Sequence, residues 1–309
     1  GWYTTRRSLD TLLSGSYWAS TEEKWHSRLI EPGALDAIVS YSEALRSRDI
    51  DLLLVPVPTK IYFYSDRLLD TDAYAGLDET VRLDRKFFEF YGLLRERGVD
   101  VLDVYPHLDQ RVREVKEPLY REDDPHWSSY GDREIAGLIA GQIDNYADLG
   151  TVARRDYVVL EETVIVEGVD RSAMLEAGED EDASFELEHY LDVLAVREVG
   201  DDGSLSRYRP WRESPVLLIG DSFVYNLSWG SDGFGAGLRD HLSERLGFPI
   251  DTIGVGGGGA NGARVELAID DGRLDGKKVV IWCFKIVNLV HVIDGNGWKI
   301  VPLPKMLSE

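Results

Sequence analysis

Residues 215–226 read "PVLLIGDSFVYN". An unbroken aliphatic run of this length suits a strand buried on both faces, as in a parallel sheet covered by helices. The run stops on Gly220, Asp221 and Ser222. Two readings fit those three residues. One is a plain strand, tight turn and helix N-cap. The other is a serine hydroxyl held at the carboxyl edge of a parallel sheet, where open α/β sheets place their reactive and ligand-binding groups. A serine hydroxyl is a weak nucleophile at neutral pH, so the second reading requires a general base elsewhere in the chain.

Around this stretch, short aliphatic runs ending in turn residues recur at 50–58, 99–106, 249–257 and 277–285, and each predicts a buried strand. Helical periodicity separates them. Residues 32–49 set Leu35, Ile38, Tyr41 and Leu45 on one face. Residues 78–98 set Val81, Leu83, Phe87, Phe90, Leu93 and Leu94 inward and stop at Gly98. Residues 128–146 open on a serine cap, and 235–247 again end on glycine. Strands alternating with helices predict a three-layer α/β/α sandwich with a mostly parallel sheet, a single domain over 1–309. Residues 151–208 break the rhythm: "RDYVVLEETVIVEG" (155–168) alternates as a half-exposed strand, and the polar "VGDDGSLSRYR" (199–209) follows. The expectation is a β-rich insertion of short strands and loops.

With 34 basic and 56 acidic side chains the net charge is −22, which repels phosphate backbones and argues against nucleic-acid binding. The densest acidic run, "EAGEDEDAS" (176–184), reads as solvated surface, with salt adaptation as the other source of such a balance. Cys283 is the one cysteine, so no intrachain disulfide or thiolate metal cluster is expected. It sits in "VVIWCF" and reads as a small buried hydrophobe. No apolar run reaches the roughly 20 residues that span a bilayer. The chain opens on Gly1, which fits removal of an export signal or anchor.

Of six histidines, His241 falls on an amphipathic helix, His26 and His291 in mixed polar surroundings, and His107 after Pro106 at a strand end. His126 stands in "LYREDDPHWSSYG" (119–131), two residues after Asp124 with Pro125 between. Proline pushes the residue before it toward an extended conformation, and extended backbone puts alternate side chains on one side. A carboxylate at 124 can then hold and orient an imidazole at 126. The plainer reading is a polar loop ahead of a helix cap. Asp123, Asp124 and His126 also suggest a metal site, but no further ligand with clear spacing appears.

"DDPHWSSYG" resembles the Asp-x-His-Trp-Ser signature of the alginate O-acetyltransferase AlgX/AlgJ family, and "GDSF" (220–223) resembles its serine block. "LLLVPVPTKIYFY" (52–64), "GVDVLDVYPHL" (98–108), "IGVGGGGA" (253–260) and "VVIW" (279–282) fit the same family in the same order, over roughly residues 30–285. The resemblance implies a circularly permuted SGNH-hydrolase-like domain, with Asp and His ahead of the serine. It makes Ser222 the nucleophile, His126 the base and Asp124 its orienter, and leaves Asp221 to cap the turn. One departure is Cys283, where family members usually carry an acid after the Trp. A second is that no chain remains after residue 300 for a carbohydrate-binding module.

The function implied is an exported, periplasmic or extracytoplasmic O-acetyltransferase. It would take an acetyl donor and a polysaccharide, work through an acetyl-serine without cofactor or metal, and take its donor from a membrane-bound acyltransferase partner. The alternatives are a carbohydrate or lipid acetylesterase with the same triad, and a non-catalytic glycan-binding scaffold of an exopolysaccharide machine. A surface at −22 disfavours a polyanion such as alginate unless a basic groove exists, which keeps a neutral glycan in view. For substrate and oxyanion contacts the expected residues are Lys60, Tyr62 and Tyr64 beyond the first strand, the Ser222 N–H, and Gly257, Gly258 and Asn261 in "GVGGGGANG" (254–262). That loop also matches G-x-G-x-x-G at Gly254, Gly256 and Gly259, but a dinucleotide site needs an acid at the end of the next strand. Asp270 and Asp271 fall in a turn instead. Trp127 reads as a packing anchor rather than a sugar platform.

Overall fold

Strand β8 (Val279–Lys285) sits in the middle of the main sheet, between β1 (Asp51–Val57) and β6 (Val216–Gly220). With β2 (Asp100–Val101) and β7 (Asp251–Gly254) the order is β2-β1-β8-β6-β7, and every pairing is parallel. The computed structural model describes residues 2, 4, 8, 33–69, 82–146, 149–169, 186–207, 209–228, 233–289 and 297–307. Val81, His26, His291 and the acidic run 176–184 lie outside the described residues.

Because strand side chains alternate, each strand feeds two separate cores. Leu52, Leu54, Val280, Trp282 and Phe284 point to one side. There they meet α1 (Ala34–Arg46), α2 (Arg85–Glu96) and α7 (Gly259–Ala268) through residues such as Leu35, Ile38, Phe87, Phe90 and Leu267. Leu53, Val55, Val279, Ile281 and Cys283 point to the other, against α4 (Ser129–Ile143) and α6 (Leu238–Leu246). The result is the expected α/β/α sandwich, with Cys283 buried inside one core.

Two expectations change. Residues 99–106 hold only the two-residue β2, because α3 (Tyr105–Glu114) takes over with Pro106 in its first turn. A proline there loses no hydrogen bond and has the right φ for a helix. His107 is therefore helical, and its Nε2 lies 2.7 Å from Glu134. The 151–208 segment does not consist of short strands. It is built on β3 (Asp156–Val169) and β4 (Glu186–Val199), paired antiparallel over 14 residues each, with the short β5 (Leu205–Ser206) beside β4. Leu194 and Val196 of β4 are buried, and the backbone N–H of Leu194 donates to Ser129 Oγ at the start of α4.

His241 of α6 is fully buried between these layers. Its ring nitrogens face the backbone at Ala236 and Leu194 without a well-formed hydrogen bond. Burial, helped by the charges of Arg133 and Arg245, drives its pKa down to about 3. A histidine that stays neutral when folded but titrates near 6.5 when unfolded stabilises the fold fully above that value, and the contribution is lost as pH falls toward the folded value. Between pH 7 and pH 4 the wild type should lose about 3 kcal/mol more unfolding free energy than His241→Leu. Urea unfolding of both proteins at the two pH values measures the difference.

Candidate functional site

β6 ends on Gly220 for a packing reason. A Cβ there would lie 1.8 Å from the Cys283 carbonyl of β8 and 2.5 Å from Val224 Cγ2. Gly220→Ala should therefore destabilise the fold by about 3 kcal/mol, the upper end for overpacking, read as a shift in urea midpoint. Asp221 follows as the cap of a single helical turn, α5 (Ser222–Tyr225). Its buried carboxylate accepts from the Phe223 N–H at 3.1 Å, the Lys285 N–H at 2.9 Å and Asn288 Nδ2 at 3.3 Å. Asp221 is thus fixed from below the strand ends, and Ser222, the first residue of α5, is partly exposed at the carboxyl edge of the sheet.

The second half of the site comes from the loop between α3 and α4. Tyr120 and Trp127 form an antiparallel bridge at its neck, with Arg121 N–H donating to the His126 carbonyl at 3.0 Å. Ser128 caps α4, accepting from the Gly131 N–H, and its hydroxyl donates to the Pro118 carbonyl. Within this frame Asp124 Oδ1 accepts from the backbone N–H of His126 at 2.9 Å and forms a short contact with His126 Nδ1. His126 Nε2 lies 2.6 Å from Ser222 Oγ. The imidazole also rests on the Phe223 ring at 4.6 Å, and Phe223 packs on the buried Trp127 at 5.2 Å. Asn226 Nδ2 donates to the Trp127 carbonyl, a further tie between the two halves.

Burial alone would push the Asp124 carboxyl up, but the hydrogen bond and charge of His126, with Arg121 beside them, hold it well below the usual carboxylate range. It is therefore ionised at neutral pH. An ionised acceptor at Nδ1 fixes the ring tautomer with its proton on that nitrogen and leaves Nε2 to accept from the serine hydroxyl. Asp123, next to it in the loop, is paired with Arg121 at 3.0 Å.

The Gly-rich loop after β7 has its own reason for glycine. Cβ atoms on Gly254 and Gly256 would lie 2.6 and 2.0 Å from atoms of the Tyr225 side chain, so the loop is shaped to a tyrosine of α5. Asp270 pairs with Arg212 and Arg273 in a turn rather than at a strand end. Gly257 is exposed with φ +69°, and the Gly258 N–H donates to the Val255 carbonyl.

Four expected contact residues are corrected by their surroundings. Asn261 Nδ2 donates to the Gly297 carbonyl, and its Oδ1 accepts from Arg264 and the Lys299 N–H, so it ties α7 to the C-terminal segment. Lys60 is 1% exposed and its ammonium points into the protein. Tyr62 is buried as well, as is Tyr64; both border a cavity of about 270 Å³ whose lining includes Phe63, Arg67, Tyr105 and Arg113 but none of Asp124, His126 and Ser222. Phe223 and Asn288 were not anticipated. Adjacency to Ser222 was the one signal for the first, and nothing in the sequence marks the second.

The profile of the SGNH hydrolase-like domain of acetyltransferase AlgX matches residues 19–286. The alginate biosynthesis protein AlgX of Azotobacter vinelandii is 25% identical over 244 residues, 78% of this chain and 47% of that protein. The chain thus spans about half the length of that curated relative. Among solved structures, Pseudomonas aeruginosa AlgX superposes with a TM-score of 0.61 at 18% identity, over 82% of this chain and 56% of that one. The O-acetyltransferase domain of Pseudomonas putida AlgJ gives 0.60 at 19% identity, over 82% of this chain and 81% of that one. These two likenesses are of fold, and they agree with the parallel sheet and its flanking helices. With the profile running through both halves of the site, the chain belongs to the family of SGNH hydrolase-like AlgX acetyltransferase domains.

Proposed function

We propose that this chain is an O-acetyltransferase that moves an acetyl group to hydroxyls of an exported polysaccharide through Ser222, His126 and Asp124. The observation that carries the reading is the continuous contact line from Asp124 through His126 to Ser222 Oγ at the open edge of the sheet. Ser222 Oγ attacks the donor carbonyl as its proton passes to His126 Nε2, and the imidazolium is stabilised by Asp124. The oxyanion is met by the Ser222 N–H and by the Gly-rich loop. Of the two glycines in question we assign Gly257, because the Gly258 N–H is already engaged by the Val255 carbonyl. The tetrahedral adduct collapses to acetyl-serine, and the leaving group takes the proton from His126. The same nitrogen then deprotonates a sugar hydroxyl, which attacks the acetyl carbonyl and frees Ser222.

The site needs no metal or cofactor in this scheme. The chain would act outside the cytoplasm, on a donor delivered by a membrane-bound acyltransferase. Among the described residues no helix is long and apolar enough to cross a membrane. The −22 net charge favours a neutral glycan over a polyanion as acceptor. The test is to incubate the protein with a chromogenic acetyl ester, alone and with neutral or uronate oligosaccharides. Ester cleavage together with acetylated oligosaccharide supports the transferase. Cleavage with free acetate as the sole product makes it an esterase, and no cleavage makes it a binding protein.

A further inference from the structure

We propose that Lys60 is a positioning residue for this acyl transfer: its protonated side chain holds the loop that carries Asp124 and His126 by giving each of its three N–H bonds to a different backbone carbonyl of that loop. The inference rests on the triad reading above, and it concerns a residue that does not touch substrate. Lys60 Nζ lies 2.9 Å from the Arg121 carbonyl, 2.9 Å from that of Glu122 and 3.0 Å from that of Asp124. An ammonium has three donors and no acceptor, so these carbonyls use its full capacity. Burying a charge is costly unless its hydrogen bonds are made, and here peptide oxygens make them.

The loop needs such a centre. Apart from its neck at Tyr120 and Trp127 it has no sheet or helix pairing, yet three of its carbonyl dipoles converge on one point. Without a cation between them those dipoles repel. The third carbonyl belongs to Asp124 itself, directly before Pro125, so fixing it fixes the backbone from which the carboxylate reaches His126. Lys60 is itself anchored, lying in a 3-10 turn (Lys60–Tyr62) that follows β1.

The arrangement depends on one proton. Burial is the main influence on Lys60 and pulls its pKa down to about 8. The charges of Asp124 and Asp123 pull it back up, those of Lys285 and Arg121 push it down, and the Trp2 ring lies 5.5 Å from Nζ. A neutral amine has two donors and a lone pair, so on losing its proton Lys60 releases one of the three carbonyls and turns a lone pair toward it. The acting form is present below about pH 8 and is lost as pH rises through it.

The experiment follows kcat and KM for the acetyl ester from pH 6.5 to 9.5 in the wild type, Lys60→Met and Lys60→Arg. In parallel, proton NMR follows the downfield Nδ1–H of His126, which reports the Asp124 contact whether or not the protein is an enzyme. In the wild type kcat should fall through about pH 8 with the His126 resonance shifting in step. Lys60→Met should lose about 100-fold in kcat, the scale of a 1 Å misplacement, with KM nearly unchanged and no alkaline limb. An alkaline limb that disappears or moves above pH 9.5 in Lys60→Arg supports the assignment. A wild-type resonance and rate that are both flat to pH 9.5 overturn it, as does Lys60→Met with wild-type kcat. If Lys60→Met does not fold, the wild-type titration alone decides. A wild type that cleaves no ester at any pH sinks the acyl-transfer reading, while the resonance still tests whether Lys60 sets the Asp124–His126 contact.

Discussion

Ser222→Ala should lower acetyl-ester turnover by at least about 10⁴-fold and leave the fold in place. Removing the nucleophile leaves only oxyanion donors and binding to assist an attack by water. The fold should survive because the turn around residue 222 is secured by other groups: Asp221 caps α5 and is itself held by Lys285 and Asn288, and Gly220 fits under Cys283. The hydroxyl contributes its contact with His126 Nε2 and no helix cap. A urea midpoint within about 1 kcal/mol of wild type, with lost turnover, is the expected pair of measurements. A folded variant with wild-type turnover would remove Ser222 from the mechanism.

Asp124→Asn should cost about 10⁴-fold in kcat, and His126→Ala at least as much. The asparagine is nearly isosteric, so the loop can keep its shape. Its amide nitrogen, however, can only donate. The amide oxygen must therefore take the place of Oδ1, which receives both the His126 backbone N–H and Nδ1, and without a charge it holds the ring tautomer more weakly. The charge that balances the imidazolium is lost as well. His126→Ala removes the base outright and also empties the place where the ring rests on Phe223. Because the three groups act as one unit, the double variant should be little worse than His126→Ala alone. Steady-state kinetics on the three proteins tests this, and turnover within tenfold of wild type in Asp124→Asn would contradict the assigned role.

The sequence revealed what is decided by near neighbours. The aliphatic runs at 51–57 and 279–285 mark strands buried on both faces, and the structure sends their odd and even residues into two cores. Asp124 and His126 are two residues apart, so their contact could be foreseen, although the backbone that makes it is bent and not extended as the proline suggests. Contacts between distant segments could not. The partners of Lys60 are carbonyls 61 to 64 residues away, and a backbone carbonyl has no letter in a sequence. Asn261 looked like a free amide in a glycine-rich loop until Gly297 was seen to take it, 36 residues on. Pro106 reads as the end of a strand, while it lies in the first turn of α3, because proline is accepted in both places. The length of β3 and β4 was missed because their pairing joins residues on either side of the acidic run, which reads as an interruption.

The strand order has a consequence for how such a protein comes into being. His126 and Asp124 belong to the part of the chain that includes β1 and β2, Ser222 to the part that includes β6 and β7. The main sheet joins these parts through β8, the last of the described strands in chain order. A ribosome delivers residues 279–285 after every group of the site already exists, and those residues pair with β1 and β6 at the same time. Closing the sheet therefore joins partners more than 200 positions apart, a long-range step that is slow in folding. Until it is taken, the half that carries the base and the half that carries the nucleophile share side-chain and helix contacts but no common sheet.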